Sequence, residues 1–162
     1  MAQRIYLDYN ATAPIRPEVI ELMCEIMDTV GNASSVHEPG RQARQRVETA
    51  RQQVAELVSA SAKNIIFTGS GTEADNLALR GFLPRHLIVS GVEHGAILAP
   101  ALLLDPYATI IEIGPQGQLD LASLEAALNA STEPALVSLM LANNETGIIQ
   151  PVAEAVEIAH GH

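Results

Sequence analysis

The chain of 162 residues has no tryptophan, 3% aromatic residues, one cysteine and, at Lys63, one lysine. With Cys24 alone no internal disulfide can form, which fits a reducing compartment. Cys24 lies among Leu22, Met23 and Ile26 and reads as a buried structural thiol rather than a nucleophile. Positive charge is scarce: 9 Lys and Arg against 19 Asp and Glu give a formal net charge of −10. Such a balance argues against nucleic-acid binding, which draws on clustered cations. The arginines that do cluster, Arg41, Arg44, Arg46 and Arg51, alternate with Glu48 and Glu56 on a helical pattern and read as a solvated face. Long apolar runs are missing too. Residues 95–104 are mostly apolar, but Pro100 breaks the run and Asp105 ends it, short of the about 20 residues a membrane helix needs. The start of the chain carries Asp8 and no apolar core of the signal-peptide kind, so a cytoplasmic location is the expectation.

What is present is enough apolar residue, 48%, to build a core. Pro17 suits the first turn of a helix continued by Val19, Ile20, Met23 and Met27, and residues 31–40 read as loop. From Arg41, apolar residues at Ala43, Val47, Ala50, Val54, Leu57 and Val58 recur every three or four positions, as on a long amphipathic helix. The pattern then changes. Strands are expected at 64–68, 86–90, 108–113 and 135–141, alternating with helices near 72–81, 94–104 and 121–129, with another after Pro151. Asp120 is placed to cap the helix whose face carries Leu121, Leu124 and Leu128. Strands separated by helices imply an α/β fold: a largely parallel sheet with helices on both faces.

In such sheets ligands bind where loops leave the carboxyl ends of the strands. Three loops stand out. Gly69-Ser70-Gly71-Thr72 is a small turn at a helix start, where free N–H groups and hydroxyls can cradle a phosphate; the same glycines also serve a plain tight connection. It lacks the Lys-Ser/Thr ending of a nucleoside-triphosphate loop, so the phosphate of a cofactor is the better match. Gly91-Val92-Glu93-His94-Gly95 offers an imidazole, and Asn143-Asn144-Glu145-Thr146-Gly147 offers two carboxamides. Taken singly, His94 reads as a hydrogen-bonded loop residue and the Asn pair as a turn. Their shared placement is what points to a site. Glu73, Asp75 and Glu145 read as capping or loop-holding residues. His160 and His162 lack further ligands, and no metal site is expected.

The opening Ile5-Tyr6-Leu7-Asp8-Tyr9-Asn10-Ala11-Thr12-Ala13-Pro14, the segment from Gly31 to His37, the stretch from Thr68 to Asn76, Glu93-His94 and the loop from Asn143 to Gly147 together resemble the cysteine desulfurase family. These are class V aminotransferase-like enzymes of fold type I that use pyridoxal 5′-phosphate (PLP). The resemblance implies that Gly71 and Thr72 bind the cofactor phosphate. It implies that His94 stacks on the pyridine ring and assists proton transfer, and that Asn144 contacts cofactor or substrate near the phenolic oxygen. Asn10, Ala11 and Thr12 match a segment close to the substrate entrance. The implied reaction takes L-cysteine to L-alanine and leaves sulfur on an enzyme cysteine as a persulfide. A sulfur-acceptor protein then receives it for iron–sulfur cluster or thio-cofactor assembly. A homodimer is implied, with no nucleic-acid or membrane partner.

The family's cofactor-binding lysine and its sulfur-accepting cysteine have no counterpart here. Lys63, ahead of the glycine turn, reads as a solvated surface charge, and Cys24 matches no part of the cysteine motif. The 162 residues are therefore expected to be the N-terminal segment and first part of the PLP-binding large domain, inactive alone. Selenocysteine lyase, or another class V lyase or aminotransferase, fits the same residues. A short non-catalytic protein that binds a partner or a phosphorylated ligand through these loops is the reading from another class.

Overall fold

The computed structural model describes residues 5–9, 11–81 and 86–162. The chain divides into two compact units, one spanning Ala13–Phe67 and the other Thr68–His162 together with the residues up to Thr12.

The first unit is helical. α1, Pro17–Met27, opens with proline at its start, where the missing N–H costs no helical bond. α2, Glu38–Leu57, begins three residues earlier than the apolar period alone indicates. His37 caps it, its ring nitrogen accepting the Gly40 N–H at 3.3 Å, and Pro39 occupies the first turn. The arginines of α2 do more than face water. Arg44 donates to the Ala33 carbonyl and Arg46 to the Thr29 hydroxyl, both at 2.8 Å, so they tie the preceding loop to the helix. Cys24 is exposed, contrary to the sequence expectation. The reason is that α1 buries none of its residues: even Leu22 and Met27 are 54% and 75% exposed.

A second correction concerns residues 64–68, expected as a strand. Ala62–Asn64 is a 3-10 turn, and the chain beyond it is extended without a ladder partner among the described residues. A strand is defined by its neighbours as much as by its own β-branched residues. Here Arg51 takes that place, donating to the Ile65 carbonyl at 2.6 Å and lying over the Phe67 ring at 5.0 Å. Lys63 is exposed, as expected.

The second unit carries the sheet. In chain order it contains α3 (Gly71–Gly81), β1 (His86–Ser90), α4 (Gly95–Leu104), β2 (Thr109–Ile111), α5 (Leu121–Ala130), β3 (Ala135–Ser138) and α6 (Val152–His160). The strands lie in the order β2-β1-β3 and both pairings are parallel, with Ile88 opposite Thr109 and Val137. Parallel strands need crossovers, and α4 and α5 supply them. β1 is buried on both sides. Leu87 and Val89 point into a cluster with Leu79, Ile97 and Ala101 from α3 and α4. Ile88 points the other way, to Ile111, Leu119, Leu124 and Ala155 under α5 and α6. The alternation of side chains along one strand thus makes two cores, and helices cover both faces of an α/β sheet. Asp120 caps α5 as expected, accepting the Ala122 N–H at 3.1 Å and the Ser123 hydroxyl at 2.7 Å.

β2 and β3 are shorter than the sequence indicates. After β2 the chain folds back through an Ile113–Leu119 antiparallel bridge. After β3 it leaves the ladder at Ser138, because β1, its partner, turns away after Ser90. Among the described residues no helix is long and apolar enough to cross a membrane.

Candidate functional site

β1 and β3 run parallel, so the loops that follow them, 91–94 and 139–147, emerge at the same edge of the sheet. Two bonds stitch these loops together. The Met140 N–H donates to Glu93 Oε1 at 2.6 Å, and Asn143 Nδ2 donates to the Val92 carbonyl at 3.1 Å. α3 packs against α4 in the shared core, and its Asp75 faces Glu93 closely enough to act on its ionisation. The glycine turn at the start of α3, the His94 loop and the Asn loop are thus parts of one unit.

The turn is built as a helix start. Ser70 Oγ accepts the Glu73 N–H at 3.2 Å, and the Glu73 carboxylate reaches back to the Gly69 N–H at 2.7 Å, a variant of the capping box. The structural role expected for Glu73 is therefore what it performs. The N–H groups of Gly71 and Thr72, and the Thr72 hydroxyl, have no hydrogen-bond partner among the described residues. A Cβ built on Gly71 would meet nothing within 4 Å, so the space over these amides is open. Free donors at a helix N-terminus attract anions, and the carboxylate already seated on Gly69 N–H is one. The donor set fits the phosphate of PLP.

His94 caps α4. Its Nδ1 accepts the Ala96 N–H at 3.1 Å, while Ala96 and Ile97 behind it are buried. An Nδ1 that accepts carries no proton, so the neutral ring bears its proton on Nε2, which has no partner among the described residues. The imidazole is exposed and anchored at one end, able to present a face or Nε2 to a ligand.

In the Asn loop the two asparagines have opposite roles. Asn143 is buried, and its Oδ1 accepts the N–H groups of Glu145 and Thr146, both at 2.9 Å. It holds the loop's shape, helped by Gly147, whose φ of +72° suits glycine. Asn144 is exposed and its carboxamide makes no bond among the described residues, leaving it available. Asn10 lies outside the described residues. Ala11 and Thr12 are exposed, and the bond described for Thr12 is local, from its N–H to the Asp8 carbonyl at 3.2 Å. No described bond ties them to the three loops.

One residue with a clear position in this site, Glu93, escapes a reading by residue type. Asn143 carries the usual signal of an asparagine that folds a turn on itself. Glu93 carries none, since its partner lies 47 residues away. Burial raises the Glu93 carboxyl above its ordinary 4.5, and facing Asp75 adds to the rise; the Met140 N–H and Ser90 hydroxyl pull the other way.

The chain is 45% identical over 159 residues to a cysteine desulfurase of Trichormus azollae, covering 93% of this chain and 39% of that protein. It is 39% identical over 167 residues to an IscS-like cysteine desulfurase of Mycobacterium tuberculosis, covering 95% and 42%. The NifS-like protein from Rickettsia africae superposes with a TM-score of 0.90 at 37% identity, over 98% of this chain and 45% of that one. The chain thus spans about two fifths of the length of the curated relatives it matches. The family model for class-V aminotransferases matches residues 5–162. With nearly its whole length matched, the chain belongs to the class-V aminotransferase family.

Proposed function

We propose that this chain is part of a PLP-dependent cysteine desulfurase, an enzyme that takes sulfur from L-cysteine, leaves L-alanine, and carries the sulfur as a persulfide to an acceptor protein. The observation that carries this reading is the likeness to cysteine desulfurases along 93% of the chain. The emergence of the His94 and Asn loops at one sheet edge agrees with it. In this reading the chain contributes the N-terminal segment and first part of the PLP-binding large domain. The protein works in the cytoplasm as a homodimer, in iron–sulfur cluster or thio-cofactor assembly, without nucleic-acid or membrane partners. The net charge of −10 supports the absence of nucleic acid.

The residues divide the work by chemistry. Gly71 and Thr72 bind the cofactor phosphate through their free N–H groups and the Thr72 hydroxyl. His94, fixed through Nδ1, lays its ring on the pyridine and holds a proton at Nε2 for exchange with substrate. Asn144 offers its carboxamide to the phenolic oxygen. Asn10, Ala11 and Thr12 belong to the segment assigned to the substrate entrance. When bound, PLP supplies the electron sink for the electrons left at the substrate Cα. Lys63, the one lysine, is exposed in the unit that does not carry the three loops, and Cys24 is in that unit too. The 162-residue chain by itself is therefore expected to have no turnover.

The test is an assay of alanine and sulfide from L-cysteine with the complete product of the gene, loaded with PLP, against a PLP-only control. Stoichiometric alanine and sulfur release supports the proposal. A complete product that binds PLP and leaves cysteine untouched while turning over another amino acid rejects the desulfurase reading. Turnover by the 162-residue chain alone would reject its expected inactivity.

A further inference from the structure

The ladder between β1 and β3 ends at Val89 opposite Ser138, and β1 turns away after Ser90. The next residues of the β3 strand path therefore lose their backbone partners while still half-buried. A buried N–H without an acceptor is costly. At Met140 a side chain takes over: Glu93 Oε1 accepts its N–H at 2.6 Å, a short bond. The same oxygen accepts the hydroxyl of Ser90, a residue only 1% exposed, at 3.2 Å, which fixes the direction of the carboxylate. Three residues beyond Met140, Asn143 Nδ2 closes a second bond to the Val92 carbonyl at 3.1 Å. The two bonds reach across from the residues just before His94 to the residues just before Asn144.

We propose that Glu93 is a positioning residue of the cofactor site: by accepting the Met140 N–H, its carboxylate holds the Asn143–Gly147 loop at the His94 turn, so that His94 and Asn144 keep one relative placement. This rests on the reading of His94 and Asn144 as cofactor contacts. Glu93 itself needs no contact with the cofactor, since its oxygen is engaged by Ser90 and Met140. The phosphate cradle at Gly71 and Thr72 is held by its own capping bonds from Ser70 and Glu73, and these do not involve Glu93. Loss of the clasp should therefore weaken a ligand that spans all three loops and spare one that occupies the cradle alone.

The experiment uses the 162-residue chain with two probes, pyridoxamine 5′-phosphate, which forms no imine with Lys63, and inorganic phosphate. Affinities for both, and hydrogen exchange of the Met140 amide, are measured for the wild type and for Glu93→Ala, Glu93→Asp and Glu93→Gln. Glutamine keeps an acceptor at the right reach and aspartate falls a methylene short. The expected result is that Glu93→Ala and Glu93→Asp weaken pyridoxamine phosphate about tenfold, keep phosphate within about twofold and speed Met140 exchange, while Glu93→Gln stays within about threefold of wild type on each readout. Equal weakening of both probes in Glu93→Ala, unchanged Met140 exchange, or failure of Glu93→Gln to rescue would each overturn the positioning role. If Glu93→Ala does not fold, the comparison of Glu93→Asp with Glu93→Gln carries the same decision. A failure of the cofactor reading looks different: the wild type then prefers pyridoxamine phosphate no more than phosphate, and the positioning role falls with it.

Discussion

The Ala96 amide donates to Nδ1 of His94 at 3.1 Å, so one ring both starts α4 and leaves its outer nitrogen to a ligand. Those two tasks separate by mutation. His94→Ala should lose the cap and cost about 1 kcal/mol of stability, read from urea unfolding. His94→Asn should restore most of that, because asparagine caps well, yet still bind pyridoxamine 5′-phosphate more weakly than wild type. Recovery of both properties by asparagine would mean that the ring has no part in binding.

Thr72→Ala removes a hydroxyl that has no partner within the described chain, so it should leave stability nearly unchanged. Cofactor-phosphate affinity should fall by about 1 to 3 kcal/mol if the bond to phosphate is charge-assisted. Equilibrium dialysis with pyridoxamine 5′-phosphate measures it. An unaltered dissociation constant would remove Thr72 from the phosphate site.

Glu93 and Asp105, two perturbed carboxyls of the sheet unit, should act oppositely on stability. For Glu93, burial first and Asp75 second raise the folded value above 4.5, so between the two values the folded state holds more protons than the unfolded one. Stability therefore falls as pH rises through that window, and Glu93→Gln should flatten the fall. For Asp105, burial pushes upward, but the N–H groups of Leu87 and Tyr107 and the His86 ring together outweigh it and hold the carboxyl below 3.8. Its contribution is complete above 3.8 and is lost as pH falls through the lower folded value. Thermal unfolding of Glu93→Gln and Asp105→Asn across pH 2 to 8, on the order of one point per half unit, resolves the two slopes. A Glu93→Gln profile that parallels wild type would show the carboxyl unperturbed.

Gly117 sits at φ +80° in the turn after β2, and a Cβ there would overlap Cδ1 of Ile148. Gly117→Ala should cost about 1 to 2 kcal/mol for the left-handed backbone, with some addition for displacing Ile148. Because the Ile148 carbonyl accepts the Asn143 N–H at 3.0 Å, the strain lands on the Asn loop, and amide exchange at Asn143 should quicken. A midpoint within error of wild type would show that the turn relaxes freely.

The sequence carried the layered part of this architecture in full view. Residues 86–90 read as a strand and are β1; the Asp120 cap and the Leu121, Leu124, Leu128 face appear as expected, because each signal is local and is written within one turn or one strand. The misreadings share a cause. Residues 64–68 have the composition of a strand, but pairing depends on which other segment is beside them, and composition does not encode that. Cys24 has apolar neighbours, but burial requires a covering surface, and no residue of α1 is covered deeply enough to be buried. At the site, Gly71, Thr72, His94 and Asn144 draw notice in the sequence because their residue types are chemically unusual after a strand or before a helix, and their roles are part of the proposal. Glu93 was not, because the bond that gives it meaning spans 47 residues.

β1 supplies buried residues to both clusters, with Leu87, Ile88 and Val89 all inaccessible to solvent. Neither layer of helices can detach without uncovering that strand, so the two cores are thermodynamically one. The amides of Leu87, Ile88 and Val89 should exchange with solvent only when the whole sheet unit unfolds, and they set the slowest clock in the molecule.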